Sequence, residues 1–142
     1  MTSRYRFHPI ARLGLLQGEG ALTLDDWDKA AAQIMNWPAH GGIRRILSDR
    51  RRMVGDFPAW MEDQVIGFIR ERAQALGQVQ WAVVLPENAW SLEVVRHAAL
   101  SARGTRVSIK PFTDIKEAIR WLLGVYEDEQ VTALIRWVDQ GA

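Results

Sequence analysis

Apolar positions along the chain change their spacing several times, and each change marks a predicted element. Arg4–His8 and Arg12–Gln17, separated by Pro9-Ile10-Ala11, read as an opening pair of antiparallel strands that Gly18-Glu19-Gly20 ends. Thr23-Leu24-Asp25-Asp26 then has the form of a capping box, with Thr23 accepting from helix amides and Asp26 reaching back. Leu24, Trp27, Ala31, Ile34 and Met35 recur at helical spacing, which makes Trp27 a core residue. Asn36-Trp37-Pro38 is expected to stop that helix, because the residue before proline disfavours the α region. Ile43–Ser48 reads as a strand, followed by a loop over Asp49–Pro58. Pro58 suits a first helical turn, and Met61, Val65, Phe68, Ile69 and Leu76 form the stripe of the helix it opens. Trp81–Leu85 is an unbroken apolar run, as in a strand covered on both faces.

Ser91 is placed to cap the next helix, which buries Val94, Val95, Ala98 and Ala102 and ends at Gly104. Arg106–Lys110 alternates in the manner of an edge strand. Asp114 and Glu117 start a helix packed through Ile115, Ala118, Ile119 and Leu122. After Gly124, Glu127-Asp128-Glu129 places negative charge where a helix N-terminus favours it, and Val131, Leu134, Ile135 and Val138 make a last stripe. Alternating strands and helices predict an α/β fold: one domain over 1–142, with a central mixed β-sheet of four or five strands, the first two antiparallel, packed with helices.

Composition narrows the chemistry. The chain has 142 residues, 48% hydrophobic and 25% charged, enough for a core that needs no staple. It contains no cysteine, which removes thiol catalysis, disulfides and thiolate metal sites and suits a reducing compartment. Met1–Arg6 lacks a signal-peptide core, and no apolar run reaches the roughly 18 residues of a membrane span. A soluble cytoplasmic protein is the expectation. The net charge of +1 is uneven, with nine basic against five acidic residues through Arg52, and nine against twelve after it. Arg44, Arg45, Arg50, Arg51 and Arg52 cluster, yet a nucleic-acid surface would be broader and more basic, so none is expected.

No catalytic or metal constellation is recognisable. Ser48, Ser91 and Ser101 lack a nucleophile-elbow setting, and His8, His40 and His97 are scattered, with His97 on the polar side of its helix. Gly18-Glu19-Gly20 lacks the third glycine of a dinucleotide loop. The Asp49–Pro58 segment is the most suggestive, since it joins a strand's C-terminal end to a helix start. Arg50, Arg51 and Arg52 with helix amides could hold an anion there, or Asp49 and Asp56 could neutralise them. Trp60 lies about 140° from its helix's stripe at roughly 100° per residue, so it is a candidate contact residue. Trp90, in Pro86–Trp90 beside that segment, either walls a shallow pocket with Trp60 or packs under its own loop.

Gly20-Ala21-Leu22-Thr23-Leu24-Asp25-Asp26-Trp27, Arg45-Ile46-Leu47-Ser48-Asp49-Arg50, Trp81-Ala82-Val83-Val84 and Phe112–Leu122, in this order and spacing, resemble the SpoIIAA-like family of the STAS, anti-sigma-factor-antagonist-like group. The resemblance covers about residues 4–123 and leaves a helix at about 127–139 as an addition. It implies a small bacterial protein with a sheet opened by an antiparallel pair, of a kind often without assigned activity whose better-understood relatives bind protein partners or small ligands. From the residues themselves, no catalysis and no cofactor are expected. Antagonists of that group carry a phosphorylatable serine or threonine at a helix entrance, whereas Asp49–Trp60 holds no Ser, Thr or Tyr and Ser48 lies inside the strand. The reading is therefore a non-enzymatic regulatory module without the phospho-switch. The alternative is a carrier of an anionic or amphipathic molecule between the 49–58 and 86–90 loops. The last amphipathic helix must bury its stripe on a second copy, forming a homodimer, or on its own sheet.

Overall fold

The computed structural model describes residues 1–87, 89–124 and 127–140, apart from the side chains of His40 and Ala89, so Asn88 of the predicted 86–90 loop lies outside the described residues. Its elements are β1 (Thr2–His8), β2 (Leu13–Gly20), α1 (Leu24–Gly41), β3 (Arg45–Met53), α2 (Met61–Leu76), β4 (Val79–Val84), α3 (Ala89–Ser101), β5 (Val107–Phe112), α4 (Ile115–Leu123) and α5 (Asp128–Asp139). The strands lie side by side in chain order, β1 antiparallel to β2 and the rest parallel. Right-handed crossovers that each advance one strand in the same direction deliver their helices to one face. Accordingly Trp27, Ile34, Val65, Ile69, Val94 and Ala98 pack with Leu16, Ile46, Trp81 and Ile109 on that side. On the other, Ile115, Ile119 and Leu122 of α4 and Val131, Leu134 and Val138 of α5 cover Leu13, Leu15, Leu47, Ala82 and Val84.

Local chemistry accounts for most boundaries. The Thr23–Asp26 capping box forms in full, and Asp114 caps α4 by accepting from the Lys116 amide at 2.9 Å. Three predicted boundaries are corrected. First, α1 continues through Pro38 and ends only where Gly42 turns left-handed (φ 62°). Trp37 is buried and seals that last turn against β2, and this tertiary contact outweighs the donor that Pro38 lacks. Second, β3 does not stop at Ser48 but runs on to Met53, because Glu19 and Gly20 of β2 pair with Arg52 and Met53 beyond a bulge. Asp49–Met53 is therefore strand, and the loop is confined to residues 54–60. Third, α2 starts at Met61 rather than Pro58, whose carbonyl accepts from the Met61 amide at 3.0 Å.

Val131, Leu134 and Val138 of the terminal helix are buried on the chain's own sheet, with Ile135 and Trp137 partly buried beside them. Arg6 fastens the far end of α5, lying 4.3 Å over the Trp137 ring and donating to the Trp137 and Gln140 carbonyls at 2.7 and 2.9 Å.

Close packing makes two glycines opposite in their tolerance. A Cβ on Gly14 would stand 2.7 Å from the Trp37 ring, whereas one on Gly67, inside α2, would meet nothing within 4 Å. Gly14→Ala is expected to cost about 1–3 kcal/mol through overpacking. Gly67→Ala is expected to gain about 0.5–1 kcal/mol through helix propensity. Urea midpoints of the two variants against the parent check both signs.

Candidate functional site

Arg50, Arg51, Arg52, Trp60 and Trp90 lie at or just beyond the C-terminal ends of β3 and β4. Strand alternation decides where each arginine goes, and the three do not converge. Asp49 and Arg51 share the α4–α5 face. There Arg51 donates to Asp49 Oδ1 at 2.9 Å and Oδ2 at 3.0 Å, and to Asp139 Oδ1 of α5 at 2.8 Å. Gln17 donates to Asp49 Oδ2 at 3.1 Å and to the Val138 carbonyl at 2.9 Å, so one buried carboxylate ties two strands to α5. Burial, the largest influence on Asp49, disfavours its charge, but the hydrogen bonds and charge of Arg51 with the Gln17 amide outweigh it and hold the carboxyl below the ordinary aspartate value. Those Asp49 bonds hold the Arg51 guanidinium above its ordinary value. Arg52 stands at the surface paired with Glu19 at 2.7 Å. Neutralisation by Asp49 thus holds for Arg51, while Asp56 is engaged elsewhere.

Arg50 turns to the opposite face and is only 7% exposed. Its Nη1 lies 3.3 Å from Met1 Sδ, and burial pulls its pKa down, against the opposing influence of Tyr5, Asp26 and Asp49. Two residues earlier on the same face is Ser48, 3% exposed, whose Oγ accepts from Trp81 Nε1 at 2.8 Å. Both line a cavity of about 30 Å³ whose remaining walls are aliphatic and aromatic, Leu16, Trp27, Phe57 and Val94 among them. Sequence reasoning passed over this pairing. The signal was present in the period of β3, where Ile46, Ser48 and Arg50 occupy one face and the last two are polar opposite apolar helices.

The 54–60 loop is held rather than loose. Ser91, completely buried, donates to Asp56 Oδ1 at 2.7 Å and accepts from the Phe57 amide at 3.0 Å. It does not cap α3 as expected, because α3 begins at Ala89, and from inside the first turn it ties the loop instead. Trp90 Nε1 donates to the Phe57 carbonyl at 3.1 Å. Trp90 is thereby anchored through its indole N–H yet 40% exposed, beside a loop that presents Val54 at 66%. Trp60 is half-buried at the N-cap of α2 and packs on the core's margin. These three residues border the same short loop.

His97 sits between α2 and α3, its Nδ1 3.3 Å from Glu62 Oε2 and its Nε2 3.6 Å from Glu93 Oε2. Among the described residues no group of three His, Asp or Glu could hold a metal ion, and no helix is long and apolar enough to cross a membrane.

A sheet opened by one antiparallel pair, continued by parallel strands in chain order and flanked by helices on both faces, places this chain in the SpoIIAA-like, or STAS, fold class. Among the solved structures it is similar to is the unphosphorylated form of the anti-sigma factor antagonist SpoIIAA, with a TM-score of 0.56 and 15% identity over 87% of this chain and 100% of that one. At that identity the likeness is one of fold. No protein-family model matches the chain, and no curated protein matches it.

Proposed function

We propose that this chain is a non-enzymatic protein-interaction module of the anti-sigma-factor-antagonist kind that works without a phospho-switch. The observation that carries the reading is a match in fold to SpoIIAA over 87% of a chain whose stretch leading into α2, Asp49–Trp60, offers no side-chain hydroxyl. Ser48 precedes that stretch, but its Oγ is buried against the Trp81 indole, out of a kinase's reach. The partner-binding surface is Val54, Trp60 and Trp90, with Arg52 at its margin. Anchored aromatic side chains on a tied loop lose little entropy when a partner covers them. A carrier for a larger amphipathic molecule has less support, because the interior cavity of about 30 Å³ has room for one or two waters, not an acyl chain.

A photo-reactive phenylalanine analogue in place of Val54, activated in the source cells, is expected to capture one discrete protein. The same analogue at Leu100, 55% exposed on the far end of α3, serves as the control. Capture equal at both positions, or at neither, contradicts the assigned surface. Incubated with ATP and an anti-sigma-factor kinase, the protein is expected to keep its unmodified mass. A phosphorylated peptide containing Ser48 would restore the switch and overturn that part of the reading.

A further inference from the structure

We infer that the Arg50–Ser48 cavity binds a small monovalent anion of about halide size, independently of any protein partner. Arg50 is a cation withdrawn from water, and none of the ion pairs among the described residues includes it. Its hydrogen-bond partner is the Met1 thioether, a weak acceptor. The carboxylates that act on it do so from a distance and are engaged elsewhere. Asp49 holds Arg51 and Gln17, and Asp26 accepts from the Thr23 amide and hydroxyl at 2.8 and 2.7 Å and lies 3.5 Å from the Met1 amine. A buried charge in this position is costly unless something of opposite sign reaches it.

Ser48 supplies the second donor. Because its oxygen accepts the Trp81 N–H, its own proton is left to point elsewhere, and it shares with Arg50 the strand face that lines the cavity. Two residues along a strand span about 7 Å, so one acceptor can lie between the two groups. Besides Ser48 and Arg50, the lining side chains with a polar atom are the indoles of Trp27 and Trp81; no carboxylate is among them, and the rest of the wall is apolar. Water there would accept both hydrogen bonds but carry no compensating charge. A volume of about 30 Å³ admits an occupant of one or two waters' size, which rules out sulfate and phosphate in favour of chloride or bromide.

The test is a thermal melt of the full chain in sodium gluconate, with bromide or chloride replacing gluconate at constant ionic strength. Halide is expected to raise Tm by about 4 °C, and sulfate to give no comparable rise. Crystals grown in bromide are expected to show an anomalous peak within hydrogen-bond distance of Arg50 and Ser48. Arg50→Met keeps the length and removes the charge, and it should abolish both the halide response and the peak. If that variant does not fold, the gluconate–halide comparison and the bromide peak on the parent decide alone. Equal melting in gluconate and halide, or a cavity that holds only water in bromide crystals, would overturn the inference.

Discussion

A chain ended after Gly124 is expected to lose cooperative folding. Removing α5 strips Val131, Leu134 and Val138 from the cluster they form with α4 and the sheet, and uncovers that face of the sheet beside β2, where Gln17 meets the Val138 carbonyl. The three lost side chains alone are worth about 5 kcal/mol or more at 1.5–3 kcal/mol each. That approaches the whole stability of an ordinary domain, about 5–15 kcal/mol. The Arg6, Gln17 and Arg51 tethers to Trp137, Val138 and Asp139 go with it. Circular dichroism and calorimetry of the shortened chain should show a broad transition or none. A sharp transition within a few degrees of the full-length chain would mean that α5 is an appendage, as its place beyond the 4–123 resemblance suggested.

Asp49→Asn is expected to be the most costly single polar change, about 2–4 kcal/mol at pH 7, because it removes the buried carboxylate that Arg51 and Gln17 share. The figure is kept below that of a fully enclosed pair because Arg51 is one-third exposed and retains Asp139. The same change alters the response to acid. The folded-state pKa of Asp49 is depressed, so the stability it contributes is complete above the ordinary aspartate value and disappears as pH falls through the lower, folded value. The parent should therefore weaken progressively below about pH 4, and the variant should lack that share of the acid limb. Urea unfolding between pH 2 and 7 measures both curves. Parallel curves for the two proteins would remove Asp49 from the account of acid stability.

These two experiments probe one junction, and the junction was the least legible part of the sequence. Arg50-Arg51-Arg52 after Asp49 reads as loop because four charged residues in succession rarely occupy a strand. Pairing with β2 overrides that preference, and the pleat then sends Arg51 and Asp49 to one side and Arg50 to the other. No local rule distributes three identical side chains among a surface pair, a strand-to-helix tether and a cavity.

Elements whose chemistry is complete within a few residues were determined by the sequence alone. The Thr23–Asp26 capping box, the Asp114 cap and the stripe Ile115, Ala118, Ile119 and Leu122 all lie where spacing placed them, because helix capping and 3.6-residue periodicity act over one or two turns. The core position of Trp27 and the doubly covered β4 follow from the same short-range arithmetic. What the tertiary structure decided are the choices that depend on a distant partner. The stripe of α5 is equally apolar whether its own sheet or another chain covers it, and only the free surface left beside α4 selects the sheet. Pro38 is tolerated because Trp37 docks on Gly14, 23 positions earlier in the chain. Ser48 and Arg50 become neighbours of an apolar cavity only once α1, α2 and α3 close over β3, since burial depends on what lies across the space and not on what lies alongside in the chain.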